Sequence, residues 1–296
     1  MKRVLNVGSL NIDYVYQVPH FVQPGETLSS VGYARYPGGK GLNQSIALAR
    51  AGASISHVGH VGSDGLWLKE FLATEGANVS QLSEVEGPSG HAIIQVNRDG
   101  QNCILIEGGA NRCVTVNDVE IAISELGLAA GDYLLLQNET SSVKEIIALA
   151  SERGLKVVFN PAPMDKTIQA IDLSLIALLV VNEVEGAELV EVNADASYEQ
   201  ILSMLRQKYP ATNILLTLGS RGSVYSGVDG ETHFEPAQKV EAVDTTAAGD
   251  TFIGYFLAGL ASGKAVEEAM RIATRASAIC VGKAGAAPSI PKLCEL

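Results

Sequence analysis

Residues 244–252 read Asp-Thr-Thr-Ala-Ala-Gly-Asp-Thr-Phe, a polar turn of small residues, and they run directly into the apolar segment 253–261, Ile-Gly-Tyr-Phe-Leu-Ala-Gly-Leu-Ala. A segment that is apolar on nearly every face predicts a buried helix, whose polar N-terminus is expected to open onto a cavity. The amides of Ala247, Ala248 and Gly249 lack an intrahelical acceptor, and the helix dipole adds about half a positive charge there. We therefore expect this turn to bind an anion such as a phosphoryl group.

Asp250 lies within the first turn of the same predicted helix, where the dipole favours an ionised carboxylate. In that position it can accept a proton from a hydroxyl while the backbone from Ala247 to Asp250 holds the phosphoryl group. The alternative is an ordinary helix N-terminus, in which an acidic residue of the first turn only complements the helix dipole.

A second glycine turn lies in the N-terminal third of the chain. Residues 37–44, Pro-Gly-Gly-Lys-Gly-Leu-Asn-Gln, lead into an apolar helix expected at 45–51. The turn is not a Walker A loop, because Gly41 follows Lys40 where that loop needs Ser or Thr. The glycines indicate instead a backbone that a small ligand approaches closely, with Lys40 and Asn43 reaching its polar groups.

Two polar residues, Asn11 and Asp13, follow the apolar run 4–7. They are two positions apart, so in an extended chain their side chains lie on the same face. This spacing suits the recognition of paired hydroxyl groups.

The rest of the sequence alternates between strand and helix patterns. Short apolar runs predict strands at 4–7, 55–61, 133–137, 156–160, 177–182 and 214–218. Helical patterns follow most of them, at 66–75, 143–153, 198–208 and 266–281. Repeated strand-helix units predict a parallel sheet covered on both faces, with ligands at the carboxyl ends of its strands.

Two stretches interrupt this alternation. Residues 28–36 have a strand-like pattern, and residues 91–106 read as two strands around Asp99-Gly100, which is a strong signal for a type I′ hairpin. A small sheet of this kind, inserted into an α/β domain, can cover a cleft as a lid. The alternative is an antiparallel extension of the main sheet.

Composition excludes several classes of function. The net charge of -12 argues against nonspecific binding to nucleic acid or membranes, and no window of about 18 apolar residues predicts a membrane span. The four cysteines include no close pair of the kind that zinc sites use. Hydrophobic residues make up 47% of the chain, which is ample for a sizeable core. We therefore expect a cytoplasmic enzyme.

The glycine-rich segment 38–62 and the C-terminal segment 244–252, together with 182–185 and 217–222, resemble the motifs of the PfkB/ribokinase carbohydrate kinase family. The resemblance covers the whole chain. It implies one ribokinase-like three-layer α/β/α domain over residues 1–296. That domain has a mainly parallel central sheet and a small β-sheet lid, whose strands are inserted at about 12–37 and 91–108.

The resemblance also implies roles for individual residues. Asp250 is the proton acceptor, and Gly249, Ala248 and Ala247 form the anion hole beside it. The residues that hold the sugar hydroxyls are Asn11, Asp13, Gly39, Lys40, Asn43, Glu139 and Asp250. The nucleotide is held by Asn182, Glu185, Thr217, Gly219 and Gly222, with Glu185 organising hydrated Mg²⁺. A monovalent cation, K⁺, is enclosed by the segments that contain Asp244, Thr246, Cys280, Lys283, Gly285 and Ser289.

The activity that the resemblance implies is transfer of the γ-phosphate of ATP to the primary hydroxyl of a pentose. Residues 137–139, Gln-Asn-Glu, and 160–163, Asn-Pro-Ala-Pro, favour D-ribose as the acceptor, giving ribose 5-phosphate. The alternatives are deoxyribose, a nucleoside or a ketose, or a catalytically silent sugar-binding protein. The apolar lid residues further imply a homodimer formed through the lids.

Overall fold

The computed structural model describes residues 1–193 and 195–296. The described part of the chain forms thirteen β-strands: β1 (Val4–Val7), β2 (Asn11–Gln17), β3 (Gly32–Gly38), β4 (Ile55–Val61), β5 (Asn78–Glu84), β6 (Gly90–Val96), β7 (Asn102–Glu107), β8 (Tyr133–Gln137), β9 (Lys156–Asn160), β10 (Leu178–Asn182), β11 (Asn213–Thr217), β12 (Gly222–Ser226) and β13 (Thr232–Pro236).

The main sheet has the strand order β13-β12-β11-β10-β9-β8-β1-β4-β5. Its strands from β11 to β5 run parallel, whereas β12 and β13 are antiparallel additions at one edge. The inner strands read as continuous apolar runs, such as Tyr-Leu-Leu-Leu-Gln in β8, and all five residues of β8 are buried. Such runs form strands here because both faces of the sheet are covered.

The covering helices are α1 (Lys40–Arg50), α2 (Leu66–Thr74), α3 (Val116–Glu125), α4 (Val143–Glu152), α5 (Glu183–Leu189), α6 (Tyr198–Lys208), α7 (Ala248–Ala261) and α8 (Val266–Val281). The buried residues of α1, α2, α7 and α8 belong to one apolar core, and those of α3 to α6 belong to a second. The predicted three-layer α/β/α class is confirmed. No helix in the described ranges is both long and apolar enough to cross a membrane.

Helix α7 is the central helix of its layer. Two glycines let its neighbours come close, since a Cβ on Gly254 would lie 2.4 Å from Ala47 Cβ of α1 and one on Gly259 would lie 2.7 Å from Ala269 Cβ of α8. A larger residue at either position would force the helices apart. The apolar run 253–261 therefore buries all of its residues except Leu260, as its sequence predicts.

The remaining strands form a separate four-stranded sheet in the order β3-β2-β6-β7. Strand β2 pairs antiparallel with β3 and parallel with β6, so that Asn11 lies opposite Gly38 on one side and Gly90 on the other. The second sheet is thus separate from the main sheet, and the alternative of an antiparallel extension is wrong. All six residues of β7 are exposed.

The hairpin between β6 and β7 is not the predicted type I′ turn. A type I′ turn needs positive φ at two central residues, but Gly100 has φ 75° and Asp99 is not in the left-handed region. The Asn97 amide donates to the Gln101 carbonyl, and the Asn97 side chain accepts from the amides of Asp99 and Gln101. The loop therefore has three residues between these two, stabilised by Asn97.

Some element boundaries also differ from the sequence prediction. Helix α1 begins at Lys40 and not at residue 45, because Gly39 with φ 94° ends the turn directly before it. Strand β3 begins at Gly32, four residues later than predicted. The sequence patterns missed β5, β12, β13, α3 and α5. These are short or partly exposed elements, with weak apolar periodicity.

Candidate active site

The candidate site lies where the order of the main sheet reverses. Strand β1 is flanked by β8 on one side and β4 on the other, and ligands of parallel sheets bind at the carboxyl edge of such a switch point. The carboxyl ends of β1 and β8 meet the N-termini of α1 and α7 there. The side chains of Asn43, Glu139 and Asp250, which are distant in sequence, come together at this edge.

Asp250 is buried in the first turn of α7, with an exposed fraction of 8%. Its Oδ2 accepts a hydrogen bond from Asn43 Nδ2 at 3.1 Å, and its Oδ1 accepts one from Gln44 Nε2 at 2.9 Å. Hydrogen-bond donors favour the ionised form of a carboxylate. The arrangement therefore fixes the carboxyl group of Asp250 at the N-terminus of α7.

The turn before Asp250 has the shape of an anion cradle. Ala247 adopts the left-handed region with φ 61°, which is unusual for alanine and turns the backbone into α7. A Cβ on Gly249 would meet no atom within 4 Å, so a ligand can approach its backbone. One expectation needs correction: the amide of Ala248 donates to the Thr245 carbonyl at 3.2 Å and is not free.

Glu139 follows β8 and accepts a hydrogen bond from the N-terminus of α1, although the two are far apart in sequence. Its Oε2 accepts the amide of Lys40 at 3.0 Å and the hydroxyl of Ser9. Glu139 Oε1 makes no hydrogen bond with the described residues. Burial raises the pKa of Glu139, against the lowering effect of the Ser9 hydrogen bond. One carboxylate oxygen thus supports the helix N-terminus, and the other is available to a ligand.

Lys40 lies among three carboxylates. Burial alone would lower the pKa of its ammonium group, but the charges of Asp250, Glu139 and Glu185 outweigh this effect and raise it. Lys40 is therefore a fixed positive charge. The charge of Glu185 acts on Lys40 as well, which links the predicted nucleotide residues to the predicted sugar residues.

Asp13 lies on β2, in the second sheet, and its carboxylate packs against the backbone of Gly38. A Cβ on Gly38 would lie 2.1 Å from Asp13 Oδ2, so a side chain at this position would displace the Asp13 carboxyl group. Burial, followed by the negative charge of Glu139, raises the pKa of Asp13 to about 7. The carboxyl groups of Asp13 and Glu139 therefore lie near each other.

Asn11 is oriented by a residue that sequence reasoning missed. Buried Asn111 donates its Nδ2 to Asn11 Oδ1 at 2.7 Å and accepts the Leu10 amide through its own Oδ1 at 3.0 Å. Because its oxygen is already engaged, Asn11 is left with its NH₂ group as a donor for a ligand. The sequence signal was faint, a glycine pair at 108–109 shortly before Asn111.

The predicted nucleotide residues lie at the carboxyl ends of β10 and β11. Asn182 and Glu185 form a reciprocal capping box at the start of α5, with both hydrogen bonds at 2.9 Å. This is an ordinary arrangement for a helix N-terminus. Burial raises the pKa of Glu185 in spite of the Asn182 hydrogen bond and the charge of Lys40. The capping box holds the Glu185 carboxyl group where the charges of Lys40 and Asp250 act on it.

The glycines after β11 differ in their reasons for being glycine. Gly219 has φ 56° and open space where a Cβ would stand, so its backbone is accessible next to Thr217. Gly222 has φ 119°, and a Cβ there would lie 2.1 Å from the carbonyl oxygen of Glu235 on β13. Sheet pairing alone therefore accounts for Gly222.

The residues predicted around a monovalent cation join two segments of chain. Asp244 Oδ1 accepts from the Thr246 amide and hydroxyl, and Oδ2 accepts from the Gly285 amide at 3.0 Å. Burial would raise the pKa of Asp244, but these hydrogen bonds outweigh it and lower the pKa. Cys280 Sγ lies 3.0 Å from Ser289 Oγ. These contacts hold the 244–246 and 280–289 segments together.

This arrangement fits a cation held by backbone oxygens. Both oxygens of Asp244 accept hydrogen bonds, so its charge is directed to the loop amides and hydroxyl. Lys283 places its ammonium group on Glu295 at 2.6 Å and can offer only its carbonyl oxygen. In the described residues no group of three or more His, Cys, Asp or Glu side chains could hold a metal ion.

The fold and the site together define a class of enzyme. The chain matches the pfkB family of carbohydrate kinases over residues 1–293 and belongs to that family. The predicted family and enzyme class, an ATP-dependent carbohydrate kinase, are confirmed.

Individual relatives cover nearly the whole chain. The chain is 39% identical to ribokinase of Haemophilus influenzae, over 98% of this chain and 96% of that protein. It is 31% identical to deoxyribokinase of Salmonella typhi, over 97% and 95%. The structure of Arabidopsis thaliana ribokinase complexed with ribose and ATP has a TM-score of 0.85 at 29% identity, covering 98% of this chain and 96% of that one.

Proposed function

We propose that this enzyme transfers the γ-phosphoryl group of ATP to the primary hydroxyl of D-ribose, giving ribose 5-phosphate and ADP. The observation that carries the proposal is the buried carboxylate of Asp250, fixed by two amides at the N-terminus of α7 and beside Lys40. The similarity to ribokinases over nearly the whole chain supports ribose as the acceptor.

In this mechanism Asp250 accepts the proton of the primary hydroxyl group of the sugar. The hydroxyl oxygen bonds to the γ-phosphorus, and the bond from that phosphorus to ADP breaks. Phosphoryl transfer passes through a loose transition state, so alignment and charge neutralisation matter more than a strong base. The amides of Gly249 and Asp250, at the positive end of α7, stabilise the charge that develops on the phosphoryl oxygens. Lys40 adds a positive charge on the sugar side.

Mg²⁺ and K⁺ are part of the proposal. Mg²⁺ neutralises phosphate charge and usually keeps several waters, so Glu185 would hold it through water and not directly. This fits a site where Glu185 is half-buried and where, in the described residues, no group of three or more His, Cys, Asp or Glu side chains could hold a metal ion directly. K⁺ would lie between the 244–246 and 280–289 segments, next to the turn that carries the anion cradle.

Sugar recognition follows from the donors and acceptors that the site leaves available. Asn11 offers its NH₂ group, Lys40 its ammonium group, and Asp13 and Glu139 their carboxylate oxygens. Asn43 shares its NH₂ group with Asp250, while its Oδ1 is buried without a described hydrogen-bond partner. A hydroxyl donor would complete the hydrogen bonding of Asn43. The site thus suits a small polyhydroxy ligand.

The test is ADP release with D-ribose, deoxyribose, fructose and adenosine, with the Asp250→Asn variant as the background. We expect the highest kcat/KM with ribose. A higher kcat/KM with another acceptor would mean that this acceptor, and not ribose, is the substrate, while the enzyme class would stay the same. Sugar binding by calorimetry without ADP release from any acceptor would identify a catalytically silent sugar-binding protein.

Deoxyribose is the second candidate acceptor because the deoxyribokinase relative is also similar over its full length. It lacks the 2-hydroxyl, so a site built to bind that hydroxyl would leave a polar group unpaired. A ribose preference of about 10-fold or more in kcat/KM would indicate that the 2-hydroxyl is bound. Equal values would show that it is not read.

The proposal extends to a homodimer through the lid. The lid hairpin exposes Ile104, Leu105 and Ile106 on β7, at 51%, 68% and 53%, with Ile93 beside them at 39%. Adjacent strand residues face opposite sides, so a sugar beneath the lid can cover only one set. A second lid would cover the other. Sedimentation at micromolar concentration should give a dimer, and a monomer that persists with ribose bound would contradict it.

A further inference from the structure

The carboxylate of Asp250 is held by two consecutive residues of α1, and only one of them has a role in the proposed reaction. Asn43 is a predicted sugar residue. Gln44 donates its Nε2 to Asp250 Oδ1 at 2.9 Å, yet its side chain has no exposed surface. Any effect of Gln44 on the reaction must therefore pass through a neighbouring side chain.

We propose that Gln44 is a positioning residue that fixes the orientation of the Asp250 carboxylate, and that a buried chain of polar side chains fixes Gln44 in turn. The inference rests on the proposed role of Asp250 as proton acceptor. It assigns to the core beneath the site a part in the reaction, beyond the residues that face the ligands.

The orientation of the Gln44 amide is set by Gln137, the last residue of β8. Gln137 Nε2 donates to Gln44 Oε1 at 2.7 Å and to Asn6 Oδ1 at 3.0 Å. Because the Gln44 oxygen accepts from Gln137, its NH₂ group must face Asp250. A reversed amide would place oxygen against the carboxylate and NH₂ against NH₂, two repulsive contacts.

The chain ends in the core between α1 and the main sheet. Asn6 Nδ2 donates to the Gly41 carbonyl and to Ser45 Oγ, each at 2.8 Å. Ser45 Oγ lies 2.7 Å from His57 Nδ1, and His57 Nε2 lies 3.1 Å from the Gly8 carbonyl. A carbonyl only accepts, so His57 carries its proton on Nε2 and accepts from Ser45 through Nδ1.

The direction of every hydrogen bond in the chain is therefore determined. Burial lowers the pKa of His57 to about 4, which keeps its ring neutral across the working range of pH. Asn6, Gln44, Ser45 and Gln137 are fully buried as well, so no water competes with their hydrogen bonds. Within this relay only Gln137 Oε1 lacks a hydrogen-bond partner among the described residues, and buried hydrogen bonds that strengthen one another fix the group at their end. Here that group is the Asp250 carboxylate.

The first test replaces Gln44 by methionine, which has a similar length and no donor. Gln44→Met should lower kcat by about 10- to 100-fold, while the KM values of sugar and ATP stay within about 3-fold. The acidic limb of the kcat–pH profile should move to higher pH, because a carboxylate that loses a donor protonates more readily. Thr212→Val is the matched control. It removes one buried hydrogen bond, to the Leu173 carbonyl, and should leave kcat and its pH profile unchanged.

The second test is a double-mutant cycle with Asp250→Asn. If Gln44 acts through the Asp250 carboxylate, adding Gln44→Met to Asp250→Asn should change the residual kcat by less than about 2-fold. The full single-mutant loss in that background would overturn the proposal. An unimpaired Asp250→Asn enzyme would instead contradict the proposed function, whereas an impaired Asp250→Asn with a normal Gln44→Met would sink only this inference.

Should Gln44→Met fail to fold by circular dichroism, Gln44→Glu keeps the size and shape of the side chain. It replaces the donor by a second carboxyl, and like charges disfavour joint ionisation. The acidic limb of the kcat profile should then move up by about one pH unit or more. An unmoved limb in a folded Gln44→Glu enzyme would overturn the positioning role.

Discussion

The proposed sugar side and the proposed nucleotide side of the candidate site are held by different kinds of contact. On the sugar side, hydrogen bonds join residues far apart in sequence: Asn43 and Asp250 are separated by 207 positions, and Lys40 and Glu139 by 99. On the nucleotide side, Asn182 and Glu185 bond to each other across three positions.

This difference shows which part of the site depends on the whole fold. The carboxylates of the proposed sugar side are buried at Asp250 and half-buried at Asp13 and Glu139, and they lie on α7, on the second sheet and directly after β8. The nucleotide-side cap needs only the first turn of α5, and Gly219 next to it faces open space. We therefore expect substitutions on the two sides to separate chemistry and sugar binding from nucleotide binding.

The largest effect is expected at Asp250, where the two sides meet. Asp250→Asn keeps the size of the side chain but removes the proton acceptor and, because its NH₂ group cannot accept, one of the two hydrogen bonds from α1. The value of kcat should fall by about 10² or more, with sugar and ATP affinity near normal. Single-turnover kinetics and calorimetric binding measure both. Near-wild-type turnover would show that another group accepts the proton.

The second prediction sets one glutamate of each side against the other. Glu139→Gln should raise the sugar KM by about 10- to 100-fold and the ATP KM far less, because only the sugar loses a carboxylate acceptor. Glu185→Gln should raise the Mg²⁺ and ATP requirement and leave the sugar KM near normal. Steady-state kinetics with each substrate varied give the comparison. Equal effects on both substrates in either variant would mean that the two sides are not separable.

The third prediction concerns the cation loop beside the anion cradle. At constant ionic strength, K⁺ should raise kcat several-fold over Na⁺, because a cage of backbone oxygens fits the larger ion better. The sugar KM should change little, since the loop lies away from the sugar side. Asp244→Asn, which weakens the contact with Gly285, should reduce the response. Identical kcat values in both salts would contradict the proposed cation site but not the kinase activity.

The smallest effect is expected in the pH dependence of Asp13, whose pKa of about 7 lies above its usual value of 3.8. A raised carboxyl pKa means that the folded state binds the proton more tightly, so this contribution to stability is present below pH 4 and is lost as the pH rises to about 7. Sugar binding, which needs the ionised acceptor, should weaken as the pH falls below about 7.

Asp13→Asn separates these two consequences. At pH 8 it should raise the melting temperature by about 2–4 °C, because the buried charge is gone, while the sugar KM rises sharply and loses its pH dependence. Calorimetric melting at pH 5 and pH 8 provides the check. A lower melting temperature at pH 8 would show that the ionised Asp13 stabilises the fold, contrary to this account.

The sequence alone was sufficient for the class of fold and the ends of the main elements. Strand β1 and strands β8 and β9 have the predicted bounds, since a strand buried on both faces must be apolar throughout. The buried α7 and its polar N-terminus followed from the same local pattern. Elements with half-exposed or short patterns, such as β5 and α3, were missed because tertiary packing and not periodicity stabilises them.

Which residues form hydrogen bonds with one another in the site depends on the tertiary structure. Gln44, Ser9 and Asn111 lie far in sequence from Asp250, Glu139 and Asn11, which they hold. Each pair is joined across about 100 positions or more, and only the fold brings the two members within hydrogen-bond distance.

The physical reason is that local sequence determines backbone preference and polarity, whereas charge and orientation depend on surroundings. Asp13 and Glu139 are ordinary carboxylates in the sequence. Their raised pKa values arise from burial and from a neighbouring negative charge, that of Glu139 for Asp13 and that of Asp250 for Glu139. Lys40 keeps its charge because three carboxylates surround it. The sequence determined which chemical groups are available, and the fold determined their protonation states and directions.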